Sequence, residues 1–312
     1  MMNKILIAGG SGFIGSHLCD HLVNDENNFI YCVDNFCTSS PNNIKNLEHK
    51  ENFKLINQSI CQKLDLKVNQ IYNLACPASP VQYQNLPFET MEACIDGSRN
   101  LLELATVNNA TILQASTSEV YGDPLKHPQE ESYYGNVNTF GPRSCYDEGK
   151  RMAETIFYNY KDLFKTNIRI ARIFNTYGPN MQQNDGRVIS NFIVQALEGN
   201  DITIYGDGTQ TRSFCYIDDM VEGLVGLMNS DYQNPVNLGN DTEMPIVDIA
   251  NIISEQVKSN SKIVFKEIPV DDPMKRKPDI SLAKKLLDFL PKTSFSVGLE
   301  KTIVYFRKIT NG

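Results

Sequence analysis

Tyr146 and Lys150 stand four residues apart, and Ser116-Thr117-Ser118-Glu119 begins thirty residues upstream of them. A helix puts residues i and i+4 on one face, so the Lys150 ammonium can lower the pKa of the Tyr146 phenol and make it a usable proton acceptor. Thr117 can hydrogen-bond a reacting hydroxyl, and Glu119 can act as an acid, a base or a water-orienting group. Such a set suits the removal of a proton and a hydride from an alcohol. Each part also has an ordinary reading: Tyr-x-x-x-Lys arises by chance on solvated helix faces, and a Ser/Thr/Glu run often just starts a polar loop. Their coincidence in one chain favours chemistry.

A hydride acceptor is suggested by the first segment. Lys4-Ile5-Leu6-Ile7-Ala8 reads as a short apolar strand. It runs into Gly9-Gly10-Ser11-Gly12-Phe13-Ile14-Gly15, whose Gly-x-x-Gly-x-x-Gly spacing sets bare backbone N–H groups and a helix N-terminus against a dinucleotide pyrophosphate. Glycines also make ordinary tight turns, so the spacing alone is weak. Asp34 strengthens it. It ends the strand Ile30-Tyr31-Cys32-Val33, 19 residues past Gly15, where a carboxylate accepts hydrogen bonds from the adenosine ribose. The same carboxylate would repel a 2′-phosphate, and Asn35-Phe36-Cys37-Thr38 supply no Lys or Arg to offset it. NAD is expected over NADP.

Strand patterns at 4–8, 29–33, 53–57, 70–75, 110–115 and 168–173 alternate with helical stretches near 13–24, 88–108 and 145–166. Several of the strands are continuous apolar runs, as in a parallel sheet buried on both faces. The expected fold class is α/β, a doubly wound parallel sheet of Rossmann type. Ser116–Glu119 then falls at the carboxyl end of a central strand, where open α/β sheets bind ligands. After Asn175-Thr176-Tyr177-Gly178-Pro179 the pattern turns irregular, which marks the start of a smaller substrate lobe. We expect residues 1–174 as the cofactor domain, rejoined by about 214–258 through a helix near 218–230 and a strand near 235–238. Residues 175–213 and 259–312 would form the interleaved lobe.

Arginines 143, 172, 187, 212 and 276 sit mostly in loops or at strand ends. Most arginines pair with surface acids, but Arg212 and Arg276 lie in the lobe that must hold the far end of a substrate, and their forked donors suit a diphosphate. Tyr205 and Phe214 could border a nucleobase or serve as lobe core.

Bulk composition narrows the class. The 312 residues carry 29 Lys+Arg against 37 Asp+Glu, a formal charge of -8, with no basic stripe for nucleic acid. No apolar run approaches the ~20 residues of a membrane span. No leader-like segment precedes the first strand, and a cytoplasmic protein is expected. The 8 cysteines are scattered without a Cys-x-x-Cys pair and read as reduced core residues. His17 and His21 lack further ligands at metal spacing, so no metal is expected.

Several longer stretches carry a resemblance. They include Leu74-Ala75-Cys76-Pro77-Ala78-Ser79-Pro80 and Ala115 to Pro124. Others are Gly141-Pro142-Arg143-Ser144-Cys145-Tyr146-Asp147-Glu148-Gly149-Lys150-Arg151, Ala171 to Pro179, Asp185-Gly186-Arg187-Val188 and Gln210 to Phe214. In these the chain resembles the extended short-chain dehydrogenase/reductase family, and within it the UDP-glucuronate decarboxylases, over nearly its whole length. The resemblance implies that a C4″ hydroxyl is oxidised, CO2 is lost from the β-keto acid, and the cofactor is regenerated, giving UDP-xylose. It implies Tyr146, Lys150, Thr117, Ser118 and Glu119 as the catalytic set. NAD contacts are implied at Gly9, Gly12, Phe13, Ile14, Gly15, Asp34, Asn35, Phe36, Thr38, Ser39, Ser59, Ile60, Leu74, Ala75, Cys76, Ala115, Tyr146, Lys150, Thr176 and Arg187. Substrate contacts are implied at Pro77, Glu119, Asn175, Arg187, Val188, Tyr205, Gln210, Arg212 and Arg276, along with a homodimer paired through the helices at 88–108 and 145–166.

The chain departs from relatives in places. Ser59-Ile60 replaces the usual Asp-Val, Glu92 and Cys94 replace Lys and Asn, and Tyr134, Thr139 and Phe140 replace Trp, Pro and Ile. The related 4,6-dehydratases carry an Asp-Glu pair after the Thr, the Asp protonating a leaving hydroxyl; here that position is Ser118, a poor general acid, which favours decarboxylation. Epimerase or dehydratase chemistry, and nucleotide binding without turnover, remain the alternatives.

Overall fold

Apolar runs of the first half pack as strands covered on both faces. The computed structural model describes residues 2–267 and 275–310. The chain begins β1 (Asn3–Ala8), α1 (Phe13–Val23), β2 (Asn28–Asp34), β3 (Phe53–Asn57) and β4 (Gln70–Asn73). Next come α2 (Pro80–Asn85), α3 (Pro87–Glu92), a π-helical turn at Ala93–Gly97, and α4 (Ser98–Asn108). β5 (Thr111–Thr117), α5 (Ser144–Phe164) and β6 (Ile168–Ile173) follow. Beyond them lie β7 (Thr176–Tyr177), α6 (Val188–Glu198), β8 (Ile202–Tyr205), β9 (Thr211–Ser213), β10 (Cys215–Tyr216), α7 (Ile217–Asn229) and β11 (Pro235–Leu238). The chain closes with β12 (Glu243–Pro245), α8 (Ile246–Val257), β13 (Ile263–Lys266), β14 (Lys275–Arg276), α9 (Ser281–Leu287) and α10 (Phe295–Thr310).

Among the described residues seven strands form one parallel sheet in the order β11-β6-β5-β4-β1-β2-β3. The expected doubly wound α/β architecture is therefore present. Strand alternation divides the core: Ile5 and Ile7 of β1 face the cluster that includes α1 and α7, while Leu6 and Ala8 face the one that includes α4 and α5. The order reverses between β1 and β4, and a crevice opens at the strands' carboxyl ends there. β13 pairs with β8, and β12-β9-β14 form a small sheet beside it. α8 packs on α6 and β8, whereas α9 packs on β11 and α7.

Two expectations shift at element ends. The strand expected over 70–75 stops at Asn73, and the one expected over 110–115 runs on to Thr117, carrying the chemistry-bearing residues onto its end. The helix expected over 88–108 contains a π turn. Gly97 explains its position: a Cβ there would lie 2.4 Å from Cδ1 of Ile60, so the backbone approaches that side chain closely. Asp271-Asp272-Pro273, just ahead of Arg276, lies outside the described residues. No helix among the described residues is long and apolar enough to cross a membrane.

Candidate active site

The crevice is one continuous cleft of about 2020 Å³, counting its open mouth, bordered by the sheet on one side and the lobe on the other. At its floor the turn between β1 and α1 needs glycine for two separate reasons. Gly9 has φ +73°, and a Cβ on it would come within 2.9 Å of the Ala75 backbone. At Gly15 a Cβ would lie 2.1 Å from the Gly9 carbonyl oxygen. No side chain caps α1, so its first N–H groups face the cleft with the positive end of the helix dipole behind them. Asp34, buried at the end of β2, accepts from Ser11 N at 2.9 Å, Phe36 N at 2.9 Å and Ser39 Oγ at 2.8 Å. These donors fix the position of the carboxylate. A cradle that any side chain would fill, next to a fixed carboxylate, fits a dinucleotide with an unphosphorylated adenosine ribose.

Phe13, Ile14, Thr38, Ser39, Leu74, Cys76, Ala115, Thr176 and Arg187 line this cleft with the glycines. Asn35, Phe36, Ala75 and Pro77 flank it without lining it. Ser59 and Ile60 sit behind it: Ser59 Oγ accepts from Cys61 N, and the buried Ile60 meets Gly97.

Deeper in, β5 and α5 bring together the groups expected from sequence to react. Tyr146, Thr117, Ser118, Glu119 and Lys150 all line the cleft, and all but Glu119 are buried. Lys150 Nζ donates to the Ala115 carbonyl at 2.8 Å and lies 5.7 Å from the Tyr146 ring centroid. Burial pushes the Tyr146 phenol well above its ordinary value, with Cys76 adding to the rise and the Thr117 hydroxyl opposing it. The spacing argument weighed the cation but not desolvation, which dominates here. Thr117 Oγ1 also accepts from Glu119 N at 3.2 Å, tying the end of β5 to the short turn after it. Ser116 points elsewhere, donating to Glu154 at 2.6 Å, and Glu154 holds Arg172 at 2.8 Å. Arg172 is thus part of the scaffold.

Glu119 is gripped from two sides, by Arg143 at 2.7 Å and by Arg276. Against the cost of burial, the two guanidiniums hold its carboxyl down to about 2. A group ionised that firmly has no proton to give at neutral pH, so of the roles expected for Glu119 the acid falls away. Asp147 lies close by with Oδ1 unpartnered among the described residues, and burial followed by the Glu119 charge pushes it up to about 7.

The lobe contributes the far wall. β14 pairs with β9 so that Arg276 and Arg212 are register partners, both buried and both on the cleft. Asn175, Val188, Tyr205 and Gln210 line the same wall, and Gln210 Nε2 donates to the Tyr205 carbonyl. Arg187 Nε pairs with Asp185 at 2.9 Å, and its guanidinium sits 5.9 Å from the Phe13 ring centroid. Two lining residues escaped assignment from sequence. Tyr83 of α2 stacks on Tyr146 with centroids 5.0 Å apart and planes 6° off parallel. Its only signal is a Pro-started short helix after a strand end. Arg143 reads in sequence only as a dispersed cation, and its i,i+4 relation to Asp147 is the local signal that marks it.

Residues 5–239 match the NAD dependent epimerase/dehydratase family. UDP-glucuronic acid decarboxylase 1 of Xenopus tropicalis is 52% identical over 305 residues, covering 98% of this chain and 72% of that protein. UDP-glucuronic acid decarboxylase 6 of Arabidopsis thaliana is 51% identical over 296 residues, covering 95% and 86%. Among solved structures, UDP-glucuronic acid 4-epimerase from Bacillus cereus in complex with UDP-glucuronic acid and NAD superposes with a TM-score of 0.89. It is 29% identical and covers 98% of this chain and 99% of its own.

Proposed function

The chain belongs to the NAD dependent epimerase/dehydratase family, and from that premise we propose that it converts UDP-glucuronate to UDP-xylose and CO2 with NAD recycled each turn. The name borne by the sequence relatives supports this reading. The carrying observation in the site is a proton acceptor beside a strand end, Thr117 to Glu119, that offers no proton-donating acid. Tyr146 stands by Thr117 and Lys150, Ser118 offers only a hydroxyl, and Glu119 is locked as an ion.

Gly9–Gly15 would hold the NAD pyrophosphate and Asp34 its ribose, and the bound cofactor would supply a reversible hydride acceptor for the sugar C4″. Tyr146 takes the C4″ hydroxyl proton through its phenolic oxygen, while Thr117 orients the same hydroxyl. The buried Lys150 ammonium favours the phenolate form of Tyr146 that accepts this proton. A ketone at C4″ lies β to the carboxylate, so loss of CO2 leaves an electron pair that the ketone oxygen takes up. Tyr146, now protonated, donates to that enolate oxygen. A proton from solvent enters at C5″, and reversal of the first step, with Tyr146 returning its proton to the C4″ oxygen, completes the sequence. Ser118 is small enough to leave room for the carboxylate. Arg212 and the Nε edge of Arg276, which has no partner among the described residues, take the diphosphate, and Tyr205 borders the base.

We also propose a homodimer in the cytoplasm. α3, α4 and α5 leave Phe88, Val107, Met152 and Tyr158 exposed, an apolar surface that pairing would cover.

The test supplies UDP-glucuronate and catalytic NAD+, following CO2 and the sugar nucleotide by mass and NMR. Stoichiometric CO2 with UDP-xylose is expected. A product of unchanged mass without CO2 would instead favour 4-epimerisation of the same substrate, the activity named for the Bacillus cereus neighbour.

A further inference from the structure

Cys76 and Cys94 meet beneath the reacting groups. Their sulfurs are 3.5 Å apart and share a hydrogen bond, although the residues lie 18 positions apart. Cys76 lines the cleft just after β4 and also donates to the Pro77 carbonyl at 3.3 Å. Cys94 belongs to the π turn and is buried against α5, where a Cβ on Gly149 would lie 3.2 Å from its Sγ. Gly149 sits between Tyr146 and Lys150, so the sulfur pair is packed directly under the catalytic helix face. Hydrogen bonding from Cys76 lowers the Cys94 thiol against the effect of burial, and the Lys150 charge helps.

We propose that Cys76 and Cys94 form a modification site at which peroxide joins them in a reversible disulfide that stops turnover. One thiolate attacks a peroxide oxygen, giving a sulfenic acid and a hydroxide that takes a proton to become water. The other thiol then displaces the sulfenic oxygen as a second water. Two thiols and one peroxide thus yield a disulfide and two waters. A disulfide needs sulfurs about 2.0 Å apart, so closing the bond pulls the β4 loop and the π turn together by roughly an ångström. A shift of that size at the groups around Tyr146 is enough to lower turnover at least about tenfold.

The full chain is treated with hydrogen peroxide, thiols are blocked, and peptides are mapped after cleavage at glutamate. Glu89 and Glu92 separate the two cysteines, whereas no Lys or Arg lies between them. A Cys76–Cys94 linked pair, at least a tenfold fall in kcat, recovery with dithiothreitol, and resistance of Cys94→Ser are expected. Cys94→Ala repeats the comparison if the serine variant is unstable. Activity loss with both thiols still free, a linked pair with unchanged turnover, or equal sensitivity of the Cys94 variants overturns the proposal.

Discussion

In the proposed reaction Tyr146 is the proton acceptor, and in the free protein burial pushes its phenol well above the ordinary value. Tyr146→Phe removes the oxygen and keeps the ring that stacks on Tyr83. It should lower kcat by at least ~10³-fold while NAD and UDP affinities change less than about threefold, read by turnover assays and by equilibrium dialysis. Glu119 makes a different prediction, because its carboxylate compensates two buried guanidiniums. Glu119→Gln removes the charge that both Arg143 and Arg276 face and should cost ~3 kcal/mol in denaturant unfolding at pH 7. The wild-type pairing is present above the ordinary carboxyl value and is lost only as pH falls toward about 2. Asp147 has the opposite sign. Its native carboxyl titrates at about 7 rather than the usual 3.8, so from pH 4 to 7 the folded chain keeps a proton that the unfolded chain has released, and stability falls across that window. Asp147→Asn lacks that slope. Its stability relative to wild type should rise by ~3 kcal/mol between pH 4 and pH 8, measured by denaturant unfolding at each pH.

At the scale of elements, the β1–α1 turn is the part most exposed to a single methyl group. Gly15→Ala places a carbon against the Gly9 carbonyl, where only backbone movement makes room, and should weaken NAD binding at least about 100-fold by fluorescence titration. This turn and the sheet were legible in the sequence because apolar runs and glycine spacing are local signals. The π turn was not: 3.6-residue periodicity reads 88–108 as one helix, while the register change answers to Ile60, far away in the chain. Nor was the seat of Arg276. It reads in sequence as a lobe cation for a diphosphate, but half of its guanidinium closes on Glu119, 157 residues away. The lobe strands, only two to four residues long, fall below the reach of any periodic pattern.

For the whole molecule, the sheet and the lobe are tied together rather than hinged on a free linker. Tyr121 donates to Asn237 of β11 at 2.7 Å, and Asn237 Nδ2 donates to the Gln129 carbonyl at 3.0 Å. Gln129 Oε1 in turn accepts from Lys277 N at 2.9 Å. Pairing of two copies through α3, α4 and α5 would set a rigid face behind each cleft. Sedimentation at micromolar concentration should give a mass near twice 35.2 kDa, and a monomer alone would refute the dimer.

The position of β11 in the sheet also governs the order in which a growing chain can take shape. Its only sheet neighbour among the described residues, β6, ends at Ile173, yet β11 starts at Pro235, so a ribosome has to release the first lobe segment before that edge can be closed. Until then β6 presents an unpaired edge, Tyr121 lacks its Asn237 acceptor, and Glu119 lacks Arg276. The glycine turn and Asp34 thus precede the first lobe segment in the chain, while Glu119 gains its second guanidinium only when Arg276 emerges, after β11.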